Sequence, residues 1–176
     1  MNTKQFYPSL SLSVCLMAGL LFAPGFGFAQ TGPEKVKTSM DLLRSGAGRL
    51  GLPKVEGADT VAGKEVAALY FGKTKINNNF DIVDAVVKEN GGTATLFAKT
   101  GDEYVRVSTN VPKPDGSGRA TGTVLDPKGK AIAAINKGEA FYGEVTILEV
   151  PYITGYEPIK DASGKVIGVY YVGYKK

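Results

Sequence analysis

The stretch TATLFAKTGDEYVRVSTNV, residues 93–111, decides how the rest of the chain is arranged. Two runs rich in Val, Thr, Phe and Tyr are broken at Thr100-Gly101-Asp102, the composition and punctuation of a β-hairpin. Strict alternation along the second arm puts Val105, Val107, Thr109 and Val111 on one face and Tyr104, Arg106, Ser108 and Asn110 on the other. The first face reads as core. The second, with a guanidinium, a phenol and small polar groups, suits either solvent or the wall of a polar pocket.

Upstream, residues 54–64 are rich in Gly, Asp and Thr and read as a loop, followed by a short strand over 66–71. Asn77, Asn78 and Asn79 read as turn formers and caps, with Asn79 opening a helix over 80–90 that Gly91 stops. Further back, Thr31 and Glu34 have capping-box spacing. Val36, Met40, Leu43, Ala47 and Leu50 then recur at helical steps, predicting an amphipathic helix within residues 30–53, closed by Leu52-Pro53. Its apolar stripe serves packing or self-association. The first 29 residues have the order of a secretory signal peptide: Lys4, an apolar run over about 10–23 that is shorter than the roughly 20 residues of a membrane-spanning helix, then Gly27-Phe28-Ala29. The expected mature protein begins near Gln30 and is periplasmic or secreted, with an uncleaved anchor the less favoured reading. Residues 54–176 are read as a single ligand-binding domain.

Downstream, a turn-rich loop over 112–118 delivers Arg119 to a short polar strand, Thr121-Gly122-Thr123. Asp126-Pro127 reads as the cap and first turn of a small covering helix with Ile132 and Ile135 inward. Three strands close the chain, over 141–150, 152–159 and 165–174. In the last, Ile167, Val169 and Tyr171 face one way and Val166, Tyr170 and Val172 the other; a strand apolar on both faces lies centrally. In the strand before it, Tyr152, Thr154 and Tyr156 share a face, either a pocket lining or a tyrosine-rich surface.

Composition narrows the chemistry. The chain has no His, no Trp and one Cys, Cys15, which falls within the leader. A mature protein without Cys or His has no disulfide, no His- or Cys-based zinc or haem site, and no His-dependent triad or thiol nucleophile. The carboxylates stand mostly in turns and caps, so no catalytic residues are assigned, no cofactor is expected, and catalysis is disfavoured. The net charge of +4 comes with scattered lysines, which gives no nucleic-acid footprint.

Five motifs in order, GGTATLF (91–97), YVRVSTNV (104–111), DGSGRATGTVLD (115–126), KGEAFYGEV (137–145) and YITGYEPIKDASGKVIGVYYVG (152–173), resemble the single Cache sensor domains of bacterial chemoreceptors and sensor kinases, in the group related to fused Cache domains. The resemblance covers most of residues 66–174. It implies an α+β, PAS-like fold: a central antiparallel sheet with a long N-terminal helix on one face and a pocket under short helices and loops on the other. It also implies that the Tyr152, Thr154, Tyr156 face lines the pocket, with Arg119 and Thr121 in the same wall and Tyr142 near the mouth; Arg106 is either a further ligand group or a structural anchor. Receptor Cache domains lie between two membrane spans, whereas this sequence ends at Tyr174-Lys175-Lys176. The expectation is a module that binds a small molecule without an output module of its own. Small organic acids are the first ligand expected and amino acids the second, with Arg119 as the main carboxylate partner. The alternative is an interaction module that docks on a membrane receptor or forms a homodimer.

Overall fold

The computed structural model describes Met1 and residues 31–176. The expected signal peptide, with Cys15, lies outside the described residues. Helix α1 (Gly32–Gly48) starts as its capping box dictates: the Glu34 carboxylate accepts the Thr31 backbone N–H at 2.9 Å. Val36, Met40, Leu43 and Ala47 are buried along one stripe. Leu50 is not part of it. The helix ends at Gly48, and Leu50 lies in the following turn, 38% exposed.

The expected loop over 54–64 is instead strand β1 (Pro53–Val61), paired antiparallel with β2 (Lys64–Phe71) through a two-residue turn, Ala62-Gly63, with both φ positive. The strand is exposed over most of its length and bulged between Val55 and Ala58, so neither alternation nor apolar content announces it. β3 (Thr74–Lys75) completes a three-stranded sheet. Asn77 is no simple turn former: buried, it accepts the Leu69 N–H at 2.9 Å and donates to the Ala67 carbonyl at 3.1 Å, satisfying a stretch of β2. Asn79 is not the N-cap of α2 (Asp81–Asn90), which is Phe80; one residue earlier, its side-chain oxygen accepts the Asp81 N–H at 3.0 Å and closes the turn that leads into the helix.

The second sheet has the order β5-β4-β8-β7-β6, all antiparallel, built from β4 (Thr93–Thr100), β5 (Glu103–Thr109), β6 (Phe141–Ile147), β7 (Val150–Lys160) and β8 (Val166–Lys175). The last strand is central, as its two apolar faces demand. Two bulges redirect side chains. In β5 the pairing passes from Leu96↔Ser108 to Phe97↔Arg106, which leaves Val107 unmatched. Tyr104 and Arg106 therefore share a face with Thr109, while Ser108 and Asn110 turn the other way and bond to Asn79 and Val83 beside α2. Both faces of β5 are buried, so the solvent reading of the Arg106 face falls. In β8, Ile167 is the bulged residue between the Ile159↔Gly168 and Lys160↔Val166 pairs, and it joins the core on the side of Tyr170 and Val172 rather than that of Val169 and Tyr171.

One core lies between this sheet, α1, α2 and the three-stranded sheet. The other lies on the opposite face, under α3 (Lys130–Asn136) and the loop that precedes it. Gly155 lets α1 approach: a Cβ there would sit 2.9 Å from Val36 Cγ1. Three expected elements change. Thr121-Gly122-Thr123 is a turn, and α3 begins only at Lys130; the Asp126 carboxylate accepts the Lys128 N–H and so holds the turn before the helix. Residues 141–150 are not one strand either. β6 turns at Leu148-Glu149, with φ of 47° and 70°, straight into β7.

Candidate functional site

The front face of the sheet meets α3 imperfectly. Between β6, β7 and the segment leading into α3 lies a cavity of about 330 Å³, lined by Arg106 and Tyr156 from the sheet, Leu125, Asp126 and Lys130 from the covering segment, and Val145, Ile147 and Leu148 from the β6–β7 hairpin, among others.

Arg106 is the exceptional group there. It is 4% exposed, and among the described residues no carboxylate pairs with it. Its Nη1 donates to Thr123 Oγ1 at 2.7 Å, its plane lies over the Phe97 ring at 5.1 Å, and its Nε is buried without a partner. Burial pushes the guanidinium below its ordinary pKa, and the nearby phenols of Tyr156, Tyr171 and Tyr152 push it back up. The group still stays charged at any physiological pH. A buried cation with a free Nε–Nη2 edge is half of a bidentate pair, because that edge matches the two oxygens of a carboxylate.

One phenol, Tyr156, completes the inner wall, and Tyr152 is buried on the same face close to Arg106. Burial raises Tyr156 and Tyr152, and the Arg106 charge opposes the rise in both; neither owes any of its shift to a hydrogen bond. Tyr156 is held by ring packing, with centroids 4.9 Å from Tyr171 and 6.2 Å from Phe141. Tyr171 is anchored by Thr93 at 3.0 Å.

The structure separates the expected site residues. Arg106 and Tyr156 line the cavity, and Tyr152 is buried on the same face close to Arg106. Arg119 does not line it. Its two terminal nitrogens grip Asp84 of α2 at 2.6 and 2.9 Å, Nη1 also donates to the Thr109 carbonyl, and the plane stacks on Phe80 at 4.5 Å. Thr121 is half-buried in its turn and outside the lining. Thr154 donates to the Gly143 carbonyl at 2.8 Å and borders a different, outer groove between α1 and the β6–β7 pair.

Tyr142 is on the wrong face for the cavity. β6 pairs Phe141 with Tyr156 and Val145 with Tyr152, so the residues that share the tyrosine face are Phe141, Gly143, Val145 and Ile147. Tyr142 points to the α1 side, 41% exposed, and donates to Glu157, which in turn meets Arg44 at 3.2 Å. Apart from Arg106 and Tyr156, none of the lining residues is among the sequence candidates, Leu125, Asp126, Lys130, Val145, Ile147 and Leu148 included. Val145 and Ile147 were within reach of pairing alternation, had the two-residue turn at Leu148-Glu149 been recognised.

No helix among the described residues is long and apolar enough to cross a membrane. Among curated proteins no sequence matches the chain. The family model of the Cache 3/Cache 2 fusion domain matches residues 33–176, from the first turn of α1 to the end of β8, and the architecture of antiparallel sheets and three helices agrees with a PAS-like Cache domain. The chain therefore belongs to the Cache 3/Cache 2 fusion domain family, whose members are extracellular small-molecule sensor domains rather than enzymes.

Proposed function

We propose that this protein is an exported binding module for a small organic acid, released from a leader cleaved near Gln30, with the acid's carboxylate seated on the Nε–Nη2 edge of Arg106. One observation carries the reading: a buried guanidinium with no paired countercharge among the described residues faces a cavity. An isolated buried charge is costly, and such groups are normally paired. A ligand carboxylate supplies the missing partner, and the Tyr156 phenol supplies a further donor. Arg119, Thr121, Tyr142 and Thr154 then serve the scaffold. Amino acids are the second ligand class, those whose ammonium group stands at the far end of the chain from the carboxylate, where Asp126 is the one carboxylate of the lining.

A thermal-shift screen of the purified protein against organic acids, amino acids and the corresponding neutral amides tests this. A carboxylate at a hundred times its Kd stabilises by about 2.7 kcal/mol. For a domain of this size that raises Tm by roughly 8 °C, at about 3 °C per kcal/mol. The amides should have no effect. A screen in which no acid shifts Tm contradicts the reading and favours the interaction module that docks on a receptor or on a second copy.

A further inference from the structure

We infer that the acid is an aliphatic monocarboxylate with a short apolar body, bound carboxylate-first, and that dicarboxylates and α-amino acids are rejected. This rests on the assignment of the cavity to an organic acid and goes further by naming the class.

The cavity is graded from inside to outside. Its innermost groups, Arg106 and Tyr156, are almost fully buried and offer one positive charge and hydrogen-bond donors. Next come Leu125 and Ile147, also buried, with Val145 and Leu148 half-buried beside them. Ionic groups return only at the exposed rim, where Asp126 and Lys130 stand. Arg106 neutralises one carboxylate. A second would have to lie among Leu125, Ile147 and Leu148, where an unpaired charge is strongly disfavoured, or reach a rim where Asp126 repels it. Lys130, exposed to water, returns less than a tenfold gain in affinity for such a contact. An α-ammonium group fails for the opposite reason. It would stand next to the bound carboxylate, hence beside the Arg106 charge, while Asp126 is at the other end.

Size sets the upper limit. At about 30 Å³ per water-sized unit, 330 Å³ holds a ligand of roughly ten non-hydrogen atoms. Each methylene added inside the apolar zone should therefore tighten binding about fourfold until the zone is full.

Isothermal titration of the purified protein with acetate, propionate, butyrate and valerate, and then with glutarate and norvaline as the dicarboxylate and α-amino counterparts of valerate, separates the possibilities. The expected result is a Kd that falls about fourfold per methylene from propionate to valerate, with glutarate and norvaline at least thirtyfold weaker than valerate. Arg106→Met and Arg106→Lys should abolish or strongly weaken every interaction, the first removing the buried charge without loss of stability and the second keeping a charge but not the two-nitrogen edge. If glutarate or norvaline binds as tightly as valerate, or affinity is independent of chain length, while the Arg106 variants still lose binding, the monocarboxylate class is wrong and the organic-acid site stands. If none of the acids binds, or if binding survives both Arg106 variants, the underlying site assignment is wrong as well.

Discussion

Arg106→Met is expected to abolish carboxylate binding and to leave the ligand-free protein as stable as before, or more stable by up to roughly 2 kcal/mol. The sign follows from what Arg106 touches. Its burial opposes its charge, and among the described residues no acid offsets that. Its one side-chain hydrogen bond goes to Thr123 Oγ1, and that hydroxyl already donates to the Ala120 carbonyl at 2.8 Å, so no buried donor is stranded when the guanidinium goes. Methionine fills similar volume over Phe97 and adapts to an irregular site. Chemical denaturation of the two ligand-free proteins measures the change. A structural arginine would behave in the opposite way, and a loss of 3 kcal/mol or more would mark Arg106 as an anchor for the 119–125 segment rather than a ligand group.

Arg119→Ala should give the mirror image: a folded protein that keeps its ligand-induced shift but melts about 6 °C lower. The arginine joins the segment before α3 to α2 through two charge-assisted bonds to Asp84, and adds a bond to the Thr109 carbonyl and a stack on Phe80. Side-chain exposures of 37% and 46% discount the ionic part through solvent screening. The bidentate geometry and the aromatic contact keep the total at about 2 kcal/mol, which converts at roughly 3 °C per kcal/mol for a domain of this length. Scanning calorimetry with and without a saturating acid reads both quantities. Loss of the ligand shift at unchanged stability would restore Arg119 to the binding site and displace Arg106.

These two arginines show where reading the chain stops. Each stands within the span that matches the family and each suits a carboxylate, but which one is already paired depends on Asp84, 35 residues from Arg119 in the chain. What could be read was carried by local patterns. The capping box set the start of α1, and two apolar faces put β8 at the centre of its sheet. Patterns failed where the physics was not periodic. β1 escaped because an exposed strand needs no apolar alternation. The bulges at Val107 and Ile167 each move their neighbours to the other face of the sheet, and nothing in strict alternation announces a bulge. Tyr142 was misplaced by a single position, enough in a strand to exchange the cavity for the outer surface. In the face shared by Tyr152, Thr154 and Tyr156, the grouping survives but the roles divide: Tyr156 reaches the cavity, whereas Thr154 is engaged by Gly143.

A crystal structure of the protein saturated with whichever carboxylate raises its Tm most tests the account most directly. The predicted result is a carboxylate with its two oxygens about 2.8 Å from Nε and Nη2 of Arg106, its chain running outward past Leu125 and Ile147. A ligand bound elsewhere, or an Arg106 edge occupied by a protein carboxylate, would contradict it.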